Sequence, residues 1–282
     1  MTQDVQCGGT LTTEAMRPTP VLFLGHGSPM NAIEDNEFSR GWREVAGTLP
    51  RPEAILCISA HWETRGTAVT AMEKPRTIHD FGGFPRALFE VQYPAPGSLW
   101  LAKEVRSAVR KAAVALDRDW GLDHGCWSVL RRIFPNADIP VVQLSLDYTR
   151  PPQDHYDLAR ELAPLRRQGV LILGSGNMVH NLRLIAWPGS GPGDLDAPFG
   201  FDWALEANRL FKQLVDERHH DKLVDYRSLG PAVQRAVPTP EHYLPLLYAL
   251  ALQEGGEPVV YFNDQPTLGS LTMTSLRIGA VA

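Results

Sequence analysis

The stretch Pro20-Val21-Leu22-Phe23-Leu24-Gly25-His26-Gly27-Ser28-Pro29 runs four large apolar residues into a histidine held between two glycines. A short, continuous apolar run of this kind reads as a strand buried on both faces, and the glycines permit a tight turn that presents one imidazole at the strand's C-terminal edge. The pattern returns in Ala54-Ile55-Leu56-Cys57-Ile58-Ser59-Ala60-His61-Trp62 and in Val170-Leu171-Ile172-Leu173-Gly174-Ser175-Gly176-Asn177-Met178-Val179-His180. Three strands therefore deliver histidine at or just beyond their ends, where open α/β sheets bind ligands.

Between the first two strands, Asn31 to Leu49 carries Phe38, Trp42 and Val45 at helical spacing, and Pro50-Arg51-Pro52 closes the unit. Strand, helix and strand in that order imply parallel pairing with a right-handed crossover. Further along, the spacing predicts helices over Ser98 to Leu116, Val129 to Phe134, Asp154 to Arg167 and Phe201 to Glu217. A last helix runs from Pro240 to Gln253, with Thr239 as N-cap. Strands are expected at Thr67 to Ala71, Pro140 to Leu146, Pro258 to Phe262 and Ser270 to Ile278, the last alternating in antiparallel style. Residues 72–97 and 186–200 are too rich in Gly and Pro for regular structure, and the first of these segments reads as a lid. The fold predicted is a single three-layer α/β domain with a mainly parallel central sheet flanked by helices. It occupies residues 18–282, after a disordered extension at 1–17.

The 282 residues are 44% hydrophobic, enough for a large core, and the net charge of −5 without a Lys/Arg block argues against a nucleic-acid partner. No run approaches the roughly 18 apolar residues of a membrane span. Cys7, Cys57 and Cys126 lie far apart without CxxC spacing, which fits a reducing cytoplasm rather than a disulfide framework.

Nine histidines are present. His155, on a polar helix face, and His219 and His220, in a charged helix end, read as solvated. His26, His61, His79, His124, His180 and His242 all fall in turns, strand ends or helix starts. Neutral imidazole is the commonest metal ligand at physiological pH, so their positions point to a metal site. Neither Gly174-Ser175-Gly176 nor Gly27-Ser28-Pro29 forms the GxSxG elbow of a serine hydrolase, and Gly25-His26-Gly27 lacks the GxGxxG of a dinucleotide site.

Six blocks in order, Gly-His-Gly-Ser-Pro at 25–29, Ser-Ala-His-Trp-Glu at 59–63, His-Asp-Phe-Gly-Gly-Phe-Pro at 79–85, Asp-His-Gly-Cys-Trp at 123–127, Gly-Ser-Gly-Asn-Met-Val-His-Asn at 174–181 and Thr-Pro-Glu-His-Tyr at 239–243, resemble the DOPA 4,5-dioxygenase extradiol family of LigB-like, class III ring-cleavage dioxygenases. The resemblance implies a mononuclear metal held by His26, His61 and His242, with His180 as a fourth ligand or the acid/base. It implies that His124, with His79 and Phe81 of the covering loop, contacts a catechol such as DOPA, and that O2 is the second substrate. Ferrous iron would serve turnover, and zinc can stand in its place. A monomer or small homo-oligomer is expected. The alternatives are a zinc hydrolase on the same three histidines, which would be zinc-dependent and indifferent to oxygen, and a non-enzymatic binding protein, which would not call for His124 and His180 besides the three ligands.

Protocatechuate-type members of the class complete their ligand set with glutamate, so Glu241 competes with its neighbour His242. With Thr239 as cap and Pro240 as first helical residue, the two would lie about 100° apart on the first turn. His242 would then stand over the apolar face of Leu246, Leu247 and Leu250, leaving Glu241 to solvent.

Overall fold

The computed structural model describes residues 17–186 and 198–280. All of the disordered extension expected at 1–17 but Arg17, and most of the loop expected at 186–200, lie outside the described residues.

Among the described residues ten strands form: β1 (Val21–Gly25), β2 (Ala54–Thr64), β3 (Thr67–Thr70), β4 (Val114–Asp117), β5 (Val141–Asp147), β6 (Val170–Gly176), β7 (Val259–Phe262), β8 (Pro266–Thr267), β9 (Leu271–Thr272) and β10 (Ser275–Ile278). Eight of them make one sheet in the order β4-β3-β5-β2-β6-β1-β10-β7, while β8 and β9 pair separately. The centre, β5-β2-β6-β1, is parallel throughout. β3 joins β5 antiparallel, and β10 and β7 close the other edge antiparallel.

Alternation along the central strands divides the core in two. Val21, Phe23, Leu56, Ile58 and Ile172 face one layer, made by α3 (Leu99–Ala108), α5 (Pro152–Glu161), α6 (Ala163–Arg166), α7 (Asp202–Asp216), α8 (His220–Val224), α9 (Pro231–Ala236) and α10 (Leu244–Ala251). Leu22, Leu24, Ile55, Cys57 and Leu173 face the other, made chiefly by α1 (Glu37–Ala46) and α4 (His124–Ile133), with α2 (Arg86–Phe89) beside them. Each fully buried Leu or Phe stabilises this sandwich by about 1.5–3 kcal/mol relative to exposure. The three-layer α/β reading holds. No helix among the described residues is long and apolar enough to cross a membrane.

Several elements differ from expectation, the first through a tertiary contact and the others through local ones. The helix expected to reach Leu116 stops at Ala108, because the Glu161 carboxylate accepts the N–H groups of Arg110 and Lys111 at 2.8 and 3.1 Å and frees Val114–Asp117 to extend the sheet beside β3. The helix expected from Val129 starts five residues earlier, at His124, capped by the Asp123 side chain on the Cys126 N–H. The helix over 154–167 divides at Leu162, ahead of Pro164. The last helix begins at Leu244, not Pro240; Glu241 to Tyr243 form a turn, in which Thr239 caps nothing and donates its hydroxyl to Glu241 instead.

Candidate active site

The parallel strands end together on one edge of the sheet, and their extensions build the site. β1 runs straight into His26, whose N–H donates to the Gly176 carbonyl at 3.0 Å. Gly25 is required there, since a Cβ would lie 2.6 Å from the Met273 backbone, and Gly27 turns the chain at φ +55°. β2 continues past its regular register. Its pairing with β5 is broken between Ile58 and Glu63, and this bulge carries His61 inward, whereas the sequence placed His61 at the strand's end. The turn bearing His242 is pinned to the end of β6, because its carbonyl accepts the Asn177 N–H at 2.9 Å.

One nitrogen from each of His26, His61 and His242 lies within 4.8 Å of the other two. Each opposite nitrogen faces an oxygen. Ser175 Oγ, 2.9 Å from His26 Nδ1, spends its only proton on the Gly125 carbonyl at 2.6 Å and so must accept from Nδ1–H. His242 Nδ1 donates to Glu241 Oε1 at 3.1 Å, and His61 Nδ1 lies 3.7 Å from Asp80 Oδ2. Ser175 and Glu241 fix the tautomers of His26 and His242 and leave their Nε2 lone pairs inward, with His61 Nε2 3.2 Å from that of His26. Neutral imidazoles buttressed by a hydroxyl and two carboxylates are a donor set that suits a divalent transition metal.

Electrostatics agree. Burial, with the neighbouring imidazoles, holds His26 and His242 well below the ordinary histidine value. Burial, then the His124 charge, takes His61 down to about 3. All three are therefore neutral near pH 7, the form that binds metal.

His180 and His124 flank the cluster. His180 is stacked on His242 and held by its N–H on the Ala236 carbonyl; burial lowers its pKa to about 4. The His124 ring lies 3.9 Å from that of His61. Asp80 grips His124 twice, accepting its backbone N–H at 2.9 Å on Oδ1 and meeting Nδ1 at 3.0 Å with Oδ2. Asp123, fully buried, accepts from Ser59 and Gln143 at 2.7 Å each, which fixes the start of α4.

Above the histidines opens a cavity of about 510 Å3, lined by His26, His61, His124, His180, His242 and Phe81 among others. His79 is not in its wall. The sequence placed it there, but its Nε2–H donates to the Val91 carbonyl at 2.9 Å and its ring packs behind Phe81, against Phe89 and Trp127, where it props the loop. Glu241 is likewise not the solvated bystander expected, since it partners His242. His155, expected in solvent, is buried beneath Tyr248, whose hydroxyl is 3.1 Å from its Nδ1. The sequence reading passed over Asp80, Ser175 and Glu241 as partners. The signal available was adjacency: Asp80 follows His79, Ser175 stands between two glycines, and Glu241 precedes His242.

Residues 18–270 match the family described as the catalytic LigB subunit of aromatic ring-opening dioxygenase. The chain is 47% identical over 265 residues to the 4,5-DOPA dioxygenase extradiol of Escherichia coli (strain K12), covering 92% of this chain and 94% of that one. It is 37% identical over 239 residues to the 4,5-DOPA dioxygenase extradiol of Beta vulgaris, covering 81% and 85%. The crystal structure of an uncharacterized protein from Escherichia coli K12 superposes with a TM-score of 0.77 at 42% identity, covering 93% of this chain and 100% of that chain. The chain thus belongs to the LigB family of aromatic ring-opening dioxygenases and is an extradiol dioxygenase enzyme.

Proposed function

We propose that this enzyme opens the ring of a catechol such as DOPA beside its two hydroxyls, both atoms of O2 entering the product, at a mononuclear iron held by His26, His61 and His242. The observation that carries this reading is the convergence of three imidazoles within 4.8 Å, each with its far nitrogen facing an oxygen of Ser175, Asp80 or Glu241. Ferrous iron on these donors supplies the redox capacity for joining catechol to O2, and zinc, which fits the same nitrogens, lacks it.

The chain's own residues supply position and protons. His180, buried and neutral, takes the proton of the second catechol hydroxyl, a role worth about 10²–10⁴-fold in rate. His124, fixed by Asp80, stands at the other side of the cluster to hold the diol oxygens in register. Phe81 and Phe84 form the apolar roof that keeps water from the reacting ring. A cytoplasmic setting fits Cys57 and Cys126, both buried and unbridged.

The test is oxygen uptake with a simple catechol by protein loaded either with Fe(II) or with Zn2+. Uptake with a yellow ring-opened product is expected for the iron form alone. Zinc-dependent, oxygen-indifferent turnover of an ester or amide would assign the site to hydrolysis instead.

A further inference from the structure

Asp123 is fully buried and lies behind the cavity wall, and three chain segments meet on its side chain. Its Oδ1 accepts the hydroxyl of Ser59, on β2, at 2.7 Å and the N–H of Cys126, in the first turn of α4, at 3.1 Å. Gln143, on β5, clamps the residue twice: Nε2 donates to Oδ2 at 2.7 Å, and Oε1 accepts the Asp123 N–H at 2.8 Å. Two arms lead on from here to histidines. Ser59, its proton given to Asp123, accepts the His61 N–H at 3.3 Å. The capped turn carries His124 and presents the Gly125 carbonyl to the hydroxyl of Ser175, which therefore accepts from His26 Nδ1. The junction has no slack, since a Cβ at Gly125 would lie 2.4 Å from Ser59 Oγ and 2.9 Å from His61 Cδ2.

On the reading that His26, His61 and His242 hold the metal, we propose that Asp123 is the positioning residue that sets two of these ligands together, His61 through Ser59 and His26 through Gly125 and Ser175. His242 has a separate support in the Asn177 N–H. The network runs in one direction, because both carboxylate oxygens accept. An amide in place of the carboxylate sets its NH2 group either against the Cys126 N–H or against Gln143 Nε2. Turning the Gln143 amide to meet it brings Nε2 against the Asp123 N–H instead, so every arrangement leaves one donor facing another. A carboxylate at position 143 would accept both groups and close the network again.

The experiment measures zinc affinity by competition with a chelator, and the His26 tautomer by imidazole 15N NMR of the metal-free protein. Asp123→Asn is expected to weaken zinc about tenfold or more and to mix the His26 tautomers, while Asp123→Asn with Gln143→Glu returns zinc affinity to within about threefold of the original and restores one tautomer. Ile133→Ala, in the last turn of α4, removes buried apolar volume and should lower the melting temperature with neither readout moved. Ser59→Ala cuts the His61 arm and leaves the helix cap in place, so it should weaken zinc by a smaller factor, about threefold, and it decides the matter if Asp123→Asn does not fold. Asp123→Asn that loses stability but keeps zinc affinity and a single tautomer would reduce Asp123 to a helix cap and overturn the proposal. Failure of Gln143→Glu to rescue it, or unchanged zinc affinity in Ser59→Ala, would overturn it as well. If the original protein takes up no zinc, the proposed metal site fails, and the tautomer and its rescue still decide whether Asp123 sets His26.

Discussion

The imidazoles of His180 and His242 lie face to face, their ring centroids 3.5 Å apart and their planes 8° from parallel. Stacking at that distance disfavours protonation of both rings, and burial lowers the pKa of each. With His242 tied through Nδ1 to Glu241, the pair divides the work: one ring faces the metal position, and the other is a neutral base beside it.

His180→Gln should keep metal affinity within about tenfold while turnover drops by roughly 10²–10⁴. Metal analysis and steady-state rates on one preparation check this. Loss of stoichiometric metal would make His180 a ligand.

Glu241→Gln and Asp80→Asn should each weaken metal binding by about 10–100-fold, because they hold the far sides of His242 and His61. His242→Ala should abolish stoichiometric binding. Competition with a chelator ranks the three variants. If Glu241→Gln lost all metal while His242→Ala retained it, the glutamate would be the ligand.

Gly176 has no room for a side chain, since its Cβ would sit 2.1 Å from the carbonyl oxygen of His242. Gly176→Ala should therefore cost about 1–3 kcal/mol in urea unfolding and displace the His242 turn, lowering metal affinity with it. Unchanged metal affinity would show that the turn can shift without moving the ligand.

The strands carrying His26 and His180 were legible because both sheet faces are covered, so β1 and β6 read as unbroken apolar runs. His61 and His242 were legible as ligand candidates, although their local structures were not. The bulge that turns His61 inward depends on β5, which lies about 80 residues further along the chain. At His242, Thr239-Pro240 imitates a helix start so well that the Glu241 partnership was hidden. β4 was missed because Val109, Ala112 and Leu116 prolong the spacing of Leu101 and Val105, and only Glu161 ends the helix. Asp80 acts on a residue 44 positions away, which no local pattern encodes.

The metal-free protein should lose stability as pH falls below about 6.5. His61 and His180 have folded pKa values of about 3 and about 4, below their unfolded value, so the unfolded chain binds more protons across that window. The deficit is absent above the unfolded pKa and grows as pH falls towards the folded values. Thermal melts from pH 7.5 to 5 should drop by at least several degrees, roughly 2–4 °C for each kcal/mol. Replacing His61 and His180 together by Gln should reduce the dependence, His26 and His242 carrying the rest; an unreduced slope would place its cause elsewhere.

The most direct measurement is a stoichiometry. Protein loaded with Fe(II) without oxygen is mixed with a limiting amount of 4-ethylcatechol and then given O2, while dissolved oxygen, hydrogen peroxide and product mass are followed. One O2 consumed per catechol, no peroxide, and a ring-opened product heavier by two oxygen atoms are the predicted result. Quinone with peroxide, or catechol recovered intact from fully iron-loaded protein, would contradict it.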